Sequence, residues 1–173
     1  MSFHKETLHD NFYTIKKNVY DPCGLTVAQL NAESESREYG ACTFKLNEKK
    51  IVFRVSRITP AKTGQFVTIW KRNHEGITEP FSENDEFDFV VISSRRDDHF
   101  GQFVFSKQVL IEKGIITSNQ KEGKRGIRVY PPWDKPTSRQ AEKTQAWQTV
   151  YFLPVPDDGT ADLALARKLY ATS

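Results

Sequence analysis

The sequence predicts an α/β protein of the α+β sandwich type, with a central mixed, mostly antiparallel sheet of about six strands flanked by helices. Three observations carry this. Between Ala41 and Ser106, apolar residues recur at period two in runs separated by turns and loops. Before that stretch, Leu8, Phe12, Ile15 and Val19 repeat at helical spacing. After it, helix-type and strand-type patterns alternate. The 173 residues have the length of one ordinary domain, read as 1–173, and no linker or low-complexity tract divides them.

Residues 6–20 form the first expected helix, ended by Asp21-Pro22-Cys23-Gly24. A weaker helix is expected through "LTVAQLNAESESREYG", stopping at Gly40. "ACTFKLN" and "KKIVFRVSRIT" read as strands joined at Asn47-Glu48. In the second, Ile51, Phe53 and Val55 share one face, and Val52, Arg54 and Ser56 the other. "QFVTIWKR" is apolar on both faces until Lys71, which predicts a strand inside the sheet. "FDFVVISS" and "GQFVFS" follow, joined by the turn "RRDDHF". Ser106 is expected to cap "KQVLIEKG", which Gly114 closes. "IRVYPP" is a short strand, the one expected to lie parallel to a neighbour. "SRQAEKTQAWQTVYF" is a helix with Thr137-x-x-Gln140 as its capping box, and a last helix lies around 160–170. The order matches an αβββαβ-like core.

Composition narrows the function. Hydrophobic residues make up 38% and charged residues 27%, as in a soluble globular protein. No apolar run approaches the ~20 residues of a membrane span, and no signal peptide is read at the N-terminus. Cys23 and Cys42 lack the spacing of a zinc site, and no disulfide framework exists. A cytoplasmic location follows from these readings. No GxSxG, P-loop or HExxH is present, so no metal site or cofactor is assigned.

Charge is segregated along the chain. From Lys49 to Arg72 there are seven basic residues and no acid. From Glu75 to Asp98 eight acids face two arginines. From Lys121 to Lys143 seven basic residues outnumber three acids. Two basic segments with interleaved aromatics and glutamines point to nucleic acid, DNA or RNA, as the partner. The candidate contacts are Lys62, Gln65, Lys71, Arg72, Lys124, Arg125, Arg128, Tyr130, Trp133 and Arg139. Cations there would neutralise phosphates, and the aromatics would stack on bases. Gln145 and Gln148 lie one turn apart on a helix face and could hydrogen-bond along a groove.

The stretches "EYGACTF", "TPAKTGQFVTIWKR", "GQFVFSKQVLIEKGI", "GKRGIRVYPPWDKP" and "KTQAWQ" together resemble the MepB family, over about Glu38 to Phe152. That is a bacterial family whose namesake is encoded beside a multidrug efflux pump and that pump's repressor. The element order also resembles the core of the PD-(D/E)XK nuclease-like superfamily. That resemblance implies converging carboxylates and a lysine around Mg²⁺. Asp88, with Glu38 or Gln102, is the best candidate set. Gln102 stands where an acid is required, and no lysine follows two residues later. The leading expectation is therefore a non-catalytic nucleic-acid-binding protein. A metal-dependent nuclease, and an enzyme or binding protein for an anionic small molecule, are the alternatives. An interaction module using the acidic segment is a further one.

Overall fold

The computed structural model describes residues 8–119 and 121–171. Residues 6 and 7 of the expected first helix lie outside that range. Phe12, Ile15 and Val19, carried by α1 (Asp10–Ile15) and the π-helical turn Lys16–Tyr20, are buried in one core cluster with Leu8, which precedes the helix. His9 caps α1, its Nδ1 accepting the Asn11 N–H at 3.1 Å.

The helix expected over 25–40 does not form. Its place is taken by β1 (Val27–Ala32) and a 3₁₀ turn, Arg37–Tyr39, closed by Gly40 at φ +55. β1 is exposed along most of its length, so burial does not select it. Backbone pairing does: β1 runs antiparallel to β2 (Cys42–Leu46) and covers the edge of the sheet. A bulge between Ala28 and Asn31, with Gln29 at φ +54, bends this edge.

β2 and β3 (Lys49–Val55) form the expected hairpin. The alternation along β3 is as read: Ile51, Phe53 and Val55 enter one core, while Val52 enters the other. β8 (Phe89–Arg96) and β9 (His99–Ser106) form a second hairpin turned at Asp97, φ +53. Between these hairpins lie β4 (Arg57–Ile58), β5 (Gln65–Thr68), β6 (Trp70–Arg72) and β7 (Thr78–Pro80). None of the four joins the main sheet, so "QFVTIWKR" is not a central strand. It is apolar on both sides for another reason. Val67 and Ile69 pack down on the sheet, while Phe66 meets Tyr39 and Trp70 meets Arg72 on the outside.

The main sheet has the order β1-β2-β3-β8-β9-β11, where β11 is Phe152–Pro154. Its parallel pair is the central β3/β8, because the chain crosses over through β4–β7. The antiparallel meander expected between Ala41 and Ser106 is interrupted at this step. β10 (Gly126–Val129), expected beside a sheet strand, instead pairs antiparallel with β5 in a separate three-stranded sheet. β11 was not legible: three residues paired antiparallel to β9.

Helices complete the layers. Ser106 caps α2 (Lys107–Glu112) as expected, accepting from the Val109 N–H at 3.3 Å. α3 (Arg139–Gln148) is capped by Ser138 Oγ on the Ala141 N–H, 3.1 Å, rather than by a Thr137–Gln140 box. α4 is Leu163–Ala171. α1 and α4 cover one face of the sheet, around Phe12, Phe53 and Phe89. β5, β10, α2 and α3 cover the other, around Phe103, Phe105 and Val129, with Trp147 packed at its edge. Each fully buried aliphatic or Phe side chain contributes about 1.5–3 kcal/mol. Among the described residues no helix is long and apolar enough to cross a membrane.

Candidate functional site

The charge segregation of the sequence is largely cancelled in space. Lys50 meets Glu86 at 2.8 Å, Arg54 meets Glu33 at 3.2 Å, and Arg72 meets Glu35 at 2.7 Å. Lys71 lies between Asp85 at 2.5 Å and Glu79 at 3.3 Å. Four of the seven cations between Lys49 and Arg72 are thus held by acids from elsewhere. Lys71 and Arg72, both candidate phosphate contacts, are among them. Arg125 turns the same way, donating to the Thr78 carbonyl at 3.0 Å and pairing with Glu122 at 3.2 Å. Arg54 is buried inside the sandwich and also donates to the Thr68 and Phe53 carbonyls. Desolvation pulls its pKa down and Glu33 opposes that pull.

The two basic segments do meet at one place. β10 runs beside β5 with Arg128 opposite Phe66. Between this layer and α3 lies a cleft of about 600 Å³. Lys62, Lys113, Lys124 and Arg128 line it, with Phe66, Tyr130 and Trp147. None of its described lining residues is Asp or Glu. Four cations facing one concavity raise its potential, because low-dielectric walls focus the field.

Local chemistry explains the walls. Gly64 sits at φ +80, and a Cβ there would lie 2.8 Å from both the Tyr130 ring and the Val129 carbonyl. A Cβ on Gly126 would lie 2.6 Å from the Phe66 ring. Arg128 donates to Thr59 Oγ1 at 3.0 Å and the Thr63 carbonyl at 3.2 Å, holding the loop that carries Lys62. On the other edge of β10, buried Gln148 acts as a substitute strand. Its Oε1 accepts the Tyr130 N–H at 2.8 Å, and its Nε2 donates to the Arg128 carbonyl at 3.1 Å. The Lys113 ammonium lies 5.3 Å from the Trp147 ring centroid.

Of the expected contacts, Lys62, Lys124, Arg128 and Tyr130 therefore share the cleft. Arg139 is exposed at the start of α3, between the lining residues Ser138 and Gln140. Gln65 belongs to the fold instead. It is buried, accepts from Ser56 Oγ at 2.7 Å and donates to the Arg95 carbonyl at 3.1 Å, which leaves it no reach to a ligand. Trp133 lies elsewhere, stacked on His99 at 5.3 Å and edge-on to Phe152. Gln145 and Gln148 do not present a free groove edge either: Gln145 donates to the Pro131 and Asp134 carbonyls. Sequence reasoning missed Lys113, Phe66 and Gln140 as lining residues, and placed Trp147 only in the core.

The nuclease set does not converge. Asp88 Oδ2 accepts the Lys50 N–H at 2.8 Å, at the start of β8. Gln102 is buried, donates to Tyr170 Oη at 2.8 Å and pairs across from Ser93. Asp88 and Ser93 are five residue steps apart along β8, about 16 Å of strand. Exposed Glu38 is two residues from Gly40, which packs on Val55 at the far end of β3 from Lys50. Ligands of one Mg²⁺ lie at about 2.0–2.1 Å from it. Among the described residues no group of three or more His, Cys, Asp or Glu could hold a metal. Burial pushes the Cys42 thiol up to about 12, which suits a packed side chain rather than a nucleophile.

Residues 33–154 match a family model described as MepB-like. Among solved structures, the crystal structure of MepB is 32% identical in sequence, with a TM-score of 0.73. The match covers 85% of this chain and 97% of that one. No curated protein matches the sequence significantly. A family model over most of the chain and a structural relative at this identity agree with each other, and the chain belongs to the MepB-like family.

Proposed function

We propose that this protein is a cytoplasmic, non-catalytic nucleic-acid-binding protein whose contact surface is the cleft between β5, β10 and α3. One observation carries the reading: Lys62, Lys113 and the Lys124/Arg128 pair come from three separate stretches of the chain and line one concavity with no described acid among them. Elsewhere the cations of the first basic segment are largely paired with carboxylates. Arg139 extends the positive surface at the start of α3. Cys23 and Cys42, both free thiols, fit a reducing compartment.

The test is fluorescence anisotropy with labelled oligonucleotides across a salt series. Neutralising about four phosphates gives a slope of about −3 in log affinity against log salt on a single strand. Between 50 and 200 mM salt, affinity then falls about 50-fold. Lys62→Glu with Lys124→Glu removes most of the binding, while Lys17→Glu, exposed beside the opposite face of the sheet, leaves it unchanged. Failure of any DNA or RNA to bind at low salt refutes the reading.

A second reading rests on size. A cleft of about 600 Å³ falls within the ~300–1,000 Å³ of small-molecule sites. A large thermal shift by a nucleotide or sugar phosphate, without affinity for a polymer, would favour an anionic small molecule.

A further inference from the structure

Building on the nucleic-acid reading, we infer that the cleft takes an unpaired nucleotide, its base stacked on Tyr130 and its flanking phosphates on Lys62, Lys124 and Arg128, rather than a duplex.

Size comes first. The cleft, about 600 Å³, has the volume of a small-molecule site, whereas a duplex is read by an element that enters its ~12 Å major groove. To read a duplex, the protein would have to project an element into that groove. The element available beside these cations is α3, and it is not free to do so. Gln148 fastens it to the backbone of β10, and Trp147 packs against Phe105. The positive charge therefore surrounds a depression, which suits a strand that can turn a base inward.

The aromatics decide where the base goes. Phe66 already pairs edge-on with Tyr39, and Trp147 is engaged by Phe105 and Lys113. Tyr130 is the third ring of the cleft. Among the described residues it has neither a ring nor a cation partner, and its backbone is fixed by Gln148. Its ring rests against Gly64, so its position is set before a ligand arrives. Gln140 also lines the cleft, with no side-chain hydrogen-bond partner among the described residues, and its amide can both donate to and accept from a base edge. Stacking does not depend on base identity, so the site tolerates sequence.

The experiment compares four ligands at one low salt concentration: a twelve-nucleotide thymidine strand, a duplex of the same length, an abasic strand of the same length, and thymidine monophosphate as competitor. The thymidine strand is expected to bind at least tenfold more tightly than the duplex. It should exceed the abasic strand by fivefold or more, the gain that stacking a base on an aromatic ring provides. Tyr130→Leu should bring thymidine-strand affinity down to the abasic level and leave the abasic strand unaffected, while Tyr130→Phe keeps the wild-type preference. Displacement by thymidine monophosphate near the strand's own Kd identifies the occupant as a free nucleotide; its failure at that concentration identifies a nucleotide within a strand. Equal or tighter binding of the duplex, or equal affinity for the abasic strand, overturns the inference and leaves nucleic-acid binding standing. Absence of binding to every polymer removes both.

Discussion

Replacing Gln148 by leucine tests how the cleft is held together. β10 is an edge strand, and the Gln148 amide satisfies the Tyr130 N–H and the Arg128 carbonyl that a neighbouring strand would otherwise engage. Leucine keeps the bulk and removes both bonds. Each buried backbone group left without a partner costs about 1–3 kcal/mol. The adjoining cleft lets water reach part of this edge, which favours the lower half of that range, so the expected loss is about 2–4 kcal/mol. For a chain of this size that is roughly 5–15 °C in Tm. Urea unfolding followed by far-ultraviolet circular dichroism measures it directly. Gln148→Glu supplies a control of opposite sign. As a carboxylate it accepts from Tyr130 but repels the Arg128 carbonyl. Once protonated it can donate to that carbonyl, so this variant recovers towards wild type as pH falls. A Gln148→Leu protein within about 0.5 kcal/mol of wild type would show that the two bonds do not hold β10 to α3.

Two further predictions concern the scaffold. Glu33→Ala leaves the Arg54 guanidinium buried without its carboxylate; because Glu33 is itself 32% exposed, the expected cost is about 1–3 kcal/mol rather than the full penalty of a buried pair. Chemical denaturation checks it, and a neutral result would mean the Thr68 and Phe53 carbonyls suffice for Arg54. His9 has its pKa lowered, chiefly by burial, with Asp10 opposing and Arg95 assisting. A base with a depressed folded pKa contributes stability above its unfolded value of 6.5, and that stability is lost as pH falls through the folded value. The protein should therefore weaken slightly on acidification below about 6.5; His9 is exposed, so solvent screening keeps this group's share small. His9→Asn, which keeps a capping acceptor without the titration, should flatten that part of the stability profile.

Local patterns were legible where one physical constraint acted alone. The period-two alternation of β3, the caps at Ser106 and the β8–β9 turn followed from it. The helix read over 25–40 failed because pairing with an open sheet edge outweighed a weak propensity. "QFVTIWKR" misled because a strand sandwiched between the sheet and outer aromatics looks the same in sequence as a central one. The candidate site was half visible. Lys62, Lys124, Arg128 and Tyr130 stood in the two basic segments, and β5–β10 pairing brought those segments together. Charge counting along the chain could not reveal that Lys71 is neutralised by Asp85 and Arg72 by Glu35. Lys113 and Trp147 were missed because each lies outside the composition signal or was read as core. Trp147 packs on Phe105 and also lines the cleft. Gln65 looked available because it stood among cations, yet burial and two hydrogen bonds engage it.

Lysine reactivity, read by mass spectrometry after brief acylation with and without a bound oligonucleotide, tests the central claim most directly. The account predicts protection at Lys62, Lys113 and Lys124, the three lysines of the cleft. It predicts no change at Lys50 and Lys71, which face carboxylates away from it. Protection of Lys50 or Lys71 with the three cleft lysines unchanged would contradict it.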